Sequence, residues 1–199
     1  MKPRHKKRDL IPVLSLEEIR RLLNTAQAIG PREHAMVAIG YHFGLRAGEY
    51  GLLRLEHVHL REREVYIPAE KGSHACTQPI RAEIVDLVPI LSRWLKVHPG
   101  GPWLFPARAG KLGVSRFDIY YLFLGLWKKA GLPDRAAYPH ILKASIGTHL
   151  LDAKAPVTGV QNWLRHISIR STYAYLKYSE AAKRQTEDAM KALGKELRK

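Results

Sequence analysis

Residues 139–151 read Pro-His-Ile-Leu-Lys-Ala-Ser-Ile-Gly-Thr-His-Leu-Leu, an apolar stretch that contains two imidazoles and one ammonium group. Proline is tolerated in the first turn of a helix, because its missing N–H would have no partner there. We therefore expect a helix from His140 to Leu151 that Pro139 opens. Residues 157–164 again show helical spacing, and they are followed by His166 and, nine residues later, by Tyr175.

The chain upstream of this stretch has a mainly helical pattern. Ser15, followed by acidic residues, predicts an N-cap and a first helix that runs to about Gln27. Apolar residues at helical spacing predict three more helices, over 32–43, 84–97 and 115–130. Gly44 is expected to end the first of these, which puts Arg46 at an element boundary, and Ser115 is expected to cap the last.

Two short runs of strand-forming residues, 65–67 and 77–80, flank the turn Gly72-Ser73. They predict a small antiparallel β-hairpin that carries Lys71. The expected fold class is therefore mainly α with a small β-hairpin or sheet, an α+β domain.

Composition indicates one compact domain with an anionic partner. A chain of 199 residues, 46% hydrophobic, can bury a sizeable core. Its 33 Lys and Arg against 18 Asp and Glu give a formal charge of +15, which attracts a polyanion. Nucleic acid is the first candidate.

The other partner classes have less support in the sequence. No apolar run approaches the roughly 18 residues that a membrane-spanning helix needs, and the start does not have the pattern of a secretory signal. We expect a cytoplasmic protein that uses no membrane and no small-molecule substrate. Cys76 is the single cysteine, so no internal disulfide can form. His140, His149 and His166 are spaced too widely for a compact zinc motif.

We expect three parts along the chain. Residues 1–10 form a basic arm that could lie along phosphates or simply be solvated, residues 11–180 form the domain, and residues 181–199 form a C-terminal helix or tail. The last segment has an amphipathic pattern. It could pack on its own domain or on a neighbouring protomer, and the sequence leaves both open.

Three segments together resemble one protein family. Residues 139–151 resemble the H-x-L-R-H-S-x-x-T-H-L-L signature of tyrosine recombinases and phage-type integrases. Residues 164–166 with Tyr175 are similar to that family's L-G-H motif and nucleophilic tyrosine, and residues 44–49, Gly-Leu-Arg-Ala-Gly-Glu, to its G-L-R-x-x-E box. The resemblance runs from about Ser15 to about Ser179. It implies the family's catalytic-domain fold, in a short form without the N-terminal DNA-clamp domain.

The resemblance also implies a metal-free and cofactor-free active site. Attack at phosphorus adds negative charge to the non-bridging oxygens, so several fixed cations must surround one phosphate. Arg46 would bind a phosphate oxygen with its planar guanidinium, and Lys71 would protonate the leaving 5′ oxygen. The alternatives are a surface ion pair of Arg46 with Glu49 or Glu18, and an exposed turn lysine.

His140, His166 and Tyr175 complete the reacting groups that the resemblance implies. One imidazole would assist proton removal and the other would donate to a non-bridging oxygen, while Tyr175 would attack phosphorus. Tyr173 and Tyr178 compete for the nucleophile's role, and the spacing from His166 selects Tyr175. For His149 we expect a structural, hydrogen-bonded role.

Four positions depart from the family's pattern. Ala144 replaces a histidine and His57 an aspartate, and the other two departures are cations close to the reacting groups. Lys143 stands where the second arginine is usual, so the resemblance implies that it contacts the phosphate and stabilises its charge, as a single cation without the bidentate fork. Arg165 replaces the glycine of L-G-H. It could compensate for Lys143, but our expectation from surface base rates is that it faces outward.

The sequence thus supports a site-specific DNA recombinase or integrase that acts through a 3′-phosphotyrosyl intermediate. We expect double-stranded DNA as its partner and a homo-oligomer on DNA, from dimer to tetramer at synapsis. One alternative is a non-catalytic or weakly catalytic DNA-binding relative of the same fold. A basic RNA-binding protein is another, but it leaves the ordered Arg, Lys, His, His, Tyr set unexplained.

Overall fold

We describe the protein from a computed structural model, which defines residues 13–70, 73–108, 110–132, 138–177 and 179–196. The helices in these ranges are α1 (Leu16–Ile29), α2 (Pro31–Phe43), α3 (Ala47–Tyr50), α4 (Leu87–Lys96), α5 (Arg116–Lys129), α6 (His140–Asp152), α7 (Val157–Trp163), α8 (Ile169–Leu176) and α9 (Glu180–Glu196). The strands are β1 (Val58–His59), β2 (Glu64–Ile67) and β3 (Cys76–Pro79). The predicted α+β class is confirmed.

A capping residue begins the first helix as the sequence predicts. The Ser15 hydroxyl accepts from the Glu18 N–H at 3.1 Å, and the Glu18 carboxylate accepts from the Ser15 N–H at 2.8 Å, so α1 opens with a capping box. This helix runs two residues past the predicted end and stops at Ile29, because Pro31 opens α2 immediately afterwards.

The sheet has one strand more than the predicted hairpin. Its order is β1-β2-β3, antiparallel throughout, with Val65 paired to Val58 on one side and to Gln78 on the other. Val65 and Ile67 point into the core, as the alternation of a half-buried strand requires. Ile80 is buried just after β3.

Helix α4 begins three residues later than the sequence pattern indicates. Residues 82–84 form a turn, and the Asp86 carboxylate accepts from the Val88 N–H at 3.3 Å. This cap places the first helical residue at Leu87. Ile84 therefore packs against the core from outside the helix.

Helices α2 and α6 form the centre of the core. Every residue from 34 to 43 and from 141 to 148 is buried, so neither helix has a solvent face along these stretches. The chain before α1 is fixed to α6, because the Leu14 N–H donates to the Ser145 hydroxyl at 2.9 Å. Among the described helices, none is both long enough and apolar enough to cross a membrane.

Candidate active site

Arg46 lies at the junction between α2 and α3. Gly44 ends α2 in the left-handed conformation with φ 58°, which glycine adopts without strain. Arg46 is then the N-cap of α3; its N–H donates to Glu49 Oε2 at 2.8 Å, and its Nη1 lies 3.4 Å from Glu49 Oε1. Its side chain is 20% exposed, so the guanidinium is fixed and still reachable.

An open pocket of about 480 Å³ lies beside this arginine. It is large enough to admit a phosphate group of DNA. The chemically active residues that line it come from four parts of the chain: Arg46, Glu70, Arg116, Tyr138 and His140. The Arg116 guanidinium forms an ion pair with Glu70 across this surface.

Glu49 is a fully buried carboxylate that accepts hydrogen bonds from four donors. Arg165 Nη2 donates to it at 2.9 Å and the Ser73 hydroxyl at 2.9 Å, in addition to the two donors of Arg46. Burial alone would raise the pKa of Glu49, but the charges of Arg165 and Lys143 hold that pKa below its usual value. Glu49 is therefore an anion at neutral pH that orients the groups around it.

Lys143 lies inside the domain, with no exposed surface. Its ammonium donates to the carbonyl of Gly44 at 2.9 Å and to that of Leu164 at 2.8 Å. Burial, with Arg165 next in size, holds its pKa well below the ordinary value. The free protein therefore engages this lysine with backbone carbonyls, although the sequence comparison predicted a phosphate contact for it.

Both predicted active-site histidines lie in this cluster. His140, the first residue of α6, lines the pocket, and burial together with Lys143 and Arg46 lowers its pKa. His166 is 3% exposed and shares a 2.8 Å hydrogen bond between Nδ1 and the Thr172 hydroxyl. Burial and the neighbouring cations lower the pKa of His166 to about 3. Both imidazoles are thus neutral at pH 7.

Tyr175 lies on α8 with its ring 5.9 Å from that of His166, centroid to centroid. It is 3% exposed, and burial raises its pKa to about 12, while Arg46 acts in the opposite direction. The competing Tyr173 is 51% exposed on the same helix, and Tyr178 lies outside the described residues. The geometry thus brings Tyr175, and not Tyr173, next to the imidazole.

Lys71 also lies outside the described residues, whereas Glu70 and Ser73 lie within them. Glu70 lines the pocket on one side of it, and Ser73 on the other side bonds Glu49 and forms a bridge with His166. Five of the six predicted site residues are therefore brought together, and Glu70 and Ser73, on either side of the sixth in the sequence, lie beside them.

Arg165 does not face outward, so that expectation was wrong. Its guanidinium is fully buried and donates to Glu49 Oε2, to the carbonyl of Phe43 at 2.9 Å and to the Gln78 side chain. Most arginines are exposed, but this guanidinium is buried because a buried carboxylate and two further acceptors surround it.

His149 has the structural role that the sequence predicts. Its Nε2–H donates to the carbonyl of Leu14 at 2.8 Å, so its Nδ1 accepts from the Tyr41 hydroxyl at 2.7 Å. In the described part of the chain, no three His, Cys, Asp or Glu side chains form a group that could hold a metal ion.

Sequence reasoning missed the supporting residues of this cluster. Thr172 orients His166, and Gly147 leaves the space that the Tyr175 ring occupies, since a Cβ there would stand 2.8 Å from Tyr175 Cδ2. Neither has a motif of its own. Arg165 did carry a signal, because a glycine position taken by arginine indicates an unusual backbone, and its φ is indeed +57°.

The sequence is similar to a known protein family and to individual members of it. The sequence matches the model of the phage integrase family over residues 12–182. It is 26% identical to tyrosine recombinase XerA of Thermococcus kodakarensis, over 98% of this chain and 68% of that protein. It is also 27% identical to the type 1 fimbriae regulatory protein FimB of Escherichia coli, over 86% of this chain and 85% of the relative.

Solved structures share the fold. A crystal structure of XerA recombinase superposes with a TM-score of 0.76 at 24% identity, over 90% of this chain and 65% of that one. The Tn1549 transposon integrase in complex with transposon right end DNA gives a TM-score of 0.74 at 17% identity, over 98% of this chain and 67% of the integrase. The chain thus spans about two thirds of these proteins. Since the match covers nearly all of its length, the chain belongs to the phage integrase family.

Proposed function

We propose that the chain is a site-specific DNA recombinase or integrase that cuts and rejoins DNA through a 3′-phosphotyrosyl intermediate, with Tyr175 as the nucleophile. The observation that carries the proposal is the packing of Tyr175 beside His166, in a cluster that continues through Arg46 to an open pocket. A phenol, two neutral imidazoles and a fixed guanidinium are the groups that phosphoryl transfer without a metal requires.

The reaction follows from these groups. Tyr175 Oη attacks phosphorus and loses its proton to a neutral imidazole, while the bond from phosphorus to the 5′ oxygen breaks. Arg46 stabilises the charge on the non-bridging oxygens, and Lys71 protonates the leaving 5′ oxygen. The phosphodiester energy is kept in the phosphotyrosine, so the reverse attack by a 5′ hydroxyl rejoins DNA without ATP.

Double-stranded DNA is the proposed partner. The net charge of +15 favours a polyanion, and the structurally similar Tn1549 transposon integrase was solved in complex with transposon right end DNA. Strand exchange between two duplexes needs more than one nucleophile. We therefore include a homo-oligomer on DNA, dimer to tetramer, in the proposal, and we propose that the protein acts in the cytoplasm.

One observation favours a second candidate, a DNA-binding relative with weak or no catalysis. Lys143 is buried and engaged by two carbonyl oxygens, so the second cation that the family directs at phosphate is not offered to the pocket in the free protein. Tyr175 is also buried and protonated at neutral pH. The two candidates differ only in whether the chain cleaves.

The test is a covalent trap. A pool of duplexes with randomised sequence around a nick is incubated with the protein, so that the short fragment next to the nick diffuses away and prevents rejoining. We expect an adduct that resists denaturant, that Tyr175→Phe abolishes and that Tyr173→Phe preserves. An adduct that survives in Tyr175→Phe refutes the nucleophile, and DNA binding without any adduct supports the second candidate.

A further inference from the structure

Two departures from the family's pattern, Lys143 and Arg165, meet at the end of α2. The ammonium of Lys143 donates to the carbonyl of Gly44, and Nη1 of Arg165 donates to the carbonyl of Phe43, each at 2.9 Å. These are successive carbonyl groups, and Arg46 follows two residues later. Two buried cations from distant parts of the chain therefore fix the backbone that leads into Arg46.

Arg165 forms hydrogen bonds to more parts of the fold than Lys143 does. Its Nη2 donates to Glu49 Oε2, the same oxygen that accepts from the Arg46 N–H. Its Nη1 also bonds Gln78 on β3, the strand that follows the Lys71 turn. Within the described ranges, the hydrogen-bond partners of Lys143 are two carbonyl oxygens. Arg165 thus connects the end of α2, the Glu49 carboxylate and β3.

The backbone at position 165 is in a strained conformation. Arg165 has φ +57°, a left-handed conformation that side chains with a Cβ rarely adopt. Such strain persists where surrounding contacts determine it. Here the contacts are those of the guanidinium with Glu49, Phe43 and Gln78.

We propose that Arg165 is a positioning residue for Arg46, acting through Glu49 and the end of α2, and that its effect is coupled to position 143, because Lys143 and Arg165 bind successive carbonyl groups at that helix end. The inference rests on the proposed function, since it concerns the rate of DNA cleavage. Arg165 itself does not touch phosphate. It holds Glu49 charged and in place, and Glu49 holds Arg46.

The first test compares Arg165→Gly, Arg165→Lys, Lys143→Arg and the double variant Lys143→Arg with Arg165→Gly. Single-turnover adduct formation is measured at saturating concentrations of a nicked duplex recovered from the pool. We expect Arg165→Gly to lose roughly 10²-fold in rate with unchanged DNA affinity, because a misplaced Arg46 costs orientation and not binding. Arg165→Lys keeps the charge but loses the planar guanidinium, so its rate should lie between the rates of wild type and Arg165→Gly. The double variant should regain at least tenfold.

Arg170→Ala is the matched control, because it removes one positive charge from an exposed residue at the start of α8. Its rate at saturating DNA should stay within about twofold of wild type. An Arg165→Gly variant as fast as Arg170→Ala overturns the proposal. If Arg165→Gly fails to fold, Arg165→Lys decides: a rate equal to wild type then overturns it.

A second substrate separates positioning from general damage to the fold. In a methylphosphonate at the scissile position, a methyl group replaces one non-bridging oxygen, so less negative charge develops and a well-placed Arg46 matters less. The loss caused by Arg165→Gly should shrink at least tenfold on this substrate. An equal loss on both substrates indicates only a structural role and overturns the proposal.

Thermal unfolding tests the pairing of positions 143 and 165 without any cleavage. We expect the fall in Tm caused by Arg165→Gly to be at least halved in the Lys143→Arg background, since the two sites share one cluster. If the decrease in Tm caused by Arg165→Gly is the same in the wild-type and the Lys143→Arg backgrounds, the pairing is refuted. A wild type that forms no adduct with the pool overturns the proposed function, and the Tm comparison still decides the pairing.

Discussion

The ring of Tyr175 rests on the backbone of Gly147, so closely that a Cβ at position 147 would stand 2.8 Å from Cδ2 of the tyrosine. We therefore expect Gly147→Ala to displace the nucleophile and to slow adduct formation by roughly 10²-fold, the cost of about 1 Å of misplacement. Gly125→Ala, on α5 with open space around its Cβ, is the control and should stabilise the fold by about 1 kcal/mol. Adduct rates and Tm of both variants check this, and a fast Gly147→Ala would contradict it.

Thr172 holds His166 by the hydrogen bond to Nδ1, so the orientation of this imidazole depends on one hydroxyl. Thr172→Val keeps the shape and removes the bond, and we expect roughly a tenfold slower cleavage, as when an orienting partner of a reactive imidazole is lost. Thr172→Ser keeps the hydroxyl and should cleave at close to the wild-type rate. Single-turnover rates for the pair decide the matter, and two equally fast variants would remove Thr172 from the mechanism.

His42 makes the fold sensitive to acid. It is fully buried on α2, its Nε2 accepts from the Arg81 N–H at 3.2 Å, and burial lowers its pKa to about 4. Because the unfolded chain binds the proton at pH 6.5 and the folded chain does not, the free energy of unfolding falls as pH drops from about 6.5 towards 4. The loss from this residue should reach about 3 kcal/mol.

Urea unfolding at several pH values measures this effect. His42→Gln keeps an acceptor for Arg81 and cannot be protonated, so its stability should fall less steeply over the same range. His59→Gln removes an exposed imidazole on β1 and should leave the wild-type slope unchanged. Parallel curves for wild type and His42→Gln would refute the assignment.

Duplex DNA should be bound mainly through phosphates, given the charge of +15. The logarithm of the association constant should then fall linearly with the logarithm of salt concentration, by about 0.9 for each phosphate contacted. Deleting residues 1–8, which include five Lys and Arg residues, should reduce this slope and leave the Tm of the domain unchanged. Fluorescence anisotropy titrations give both quantities; equal slopes would show that the arm makes no phosphate contact.

Local signals in the sequence predicted much of this fold. The caps at Ser15 and Ser115 and the helix stop at Gly44 lie where the pattern indicates, because each depends on residues within one turn. The positions of Arg46 and His140 at helix starts followed in the same way.

The errors concern contacts between distant residues. Arg165 was expected at the surface because its acceptor Glu49 lies 116 residues away, and the carbonyl that binds Lys143 lies 99 residues away at Gly44. Spacing along the chain carries no information about such partners. Whether a charged side chain can be buried depends on the acceptors that the fold places around it. The roles of Lys143 and Arg165 could therefore be assigned only from the structure.

The burial of residues 141–148 on every side of α6 has a consequence for motion. A helical stretch packed on all sides cannot shift without opening the core, since protein interiors are as dense as organic crystals. Lys143 thus belongs to the least deformable part of the domain, and His140 directly precedes it. In the described part of this site, an adjustment that brings phosphate and nucleophile to reacting distance falls to α8, which is partly exposed. Isotope exchange of amide protons should accordingly be slower along residues 141–148 than along α8.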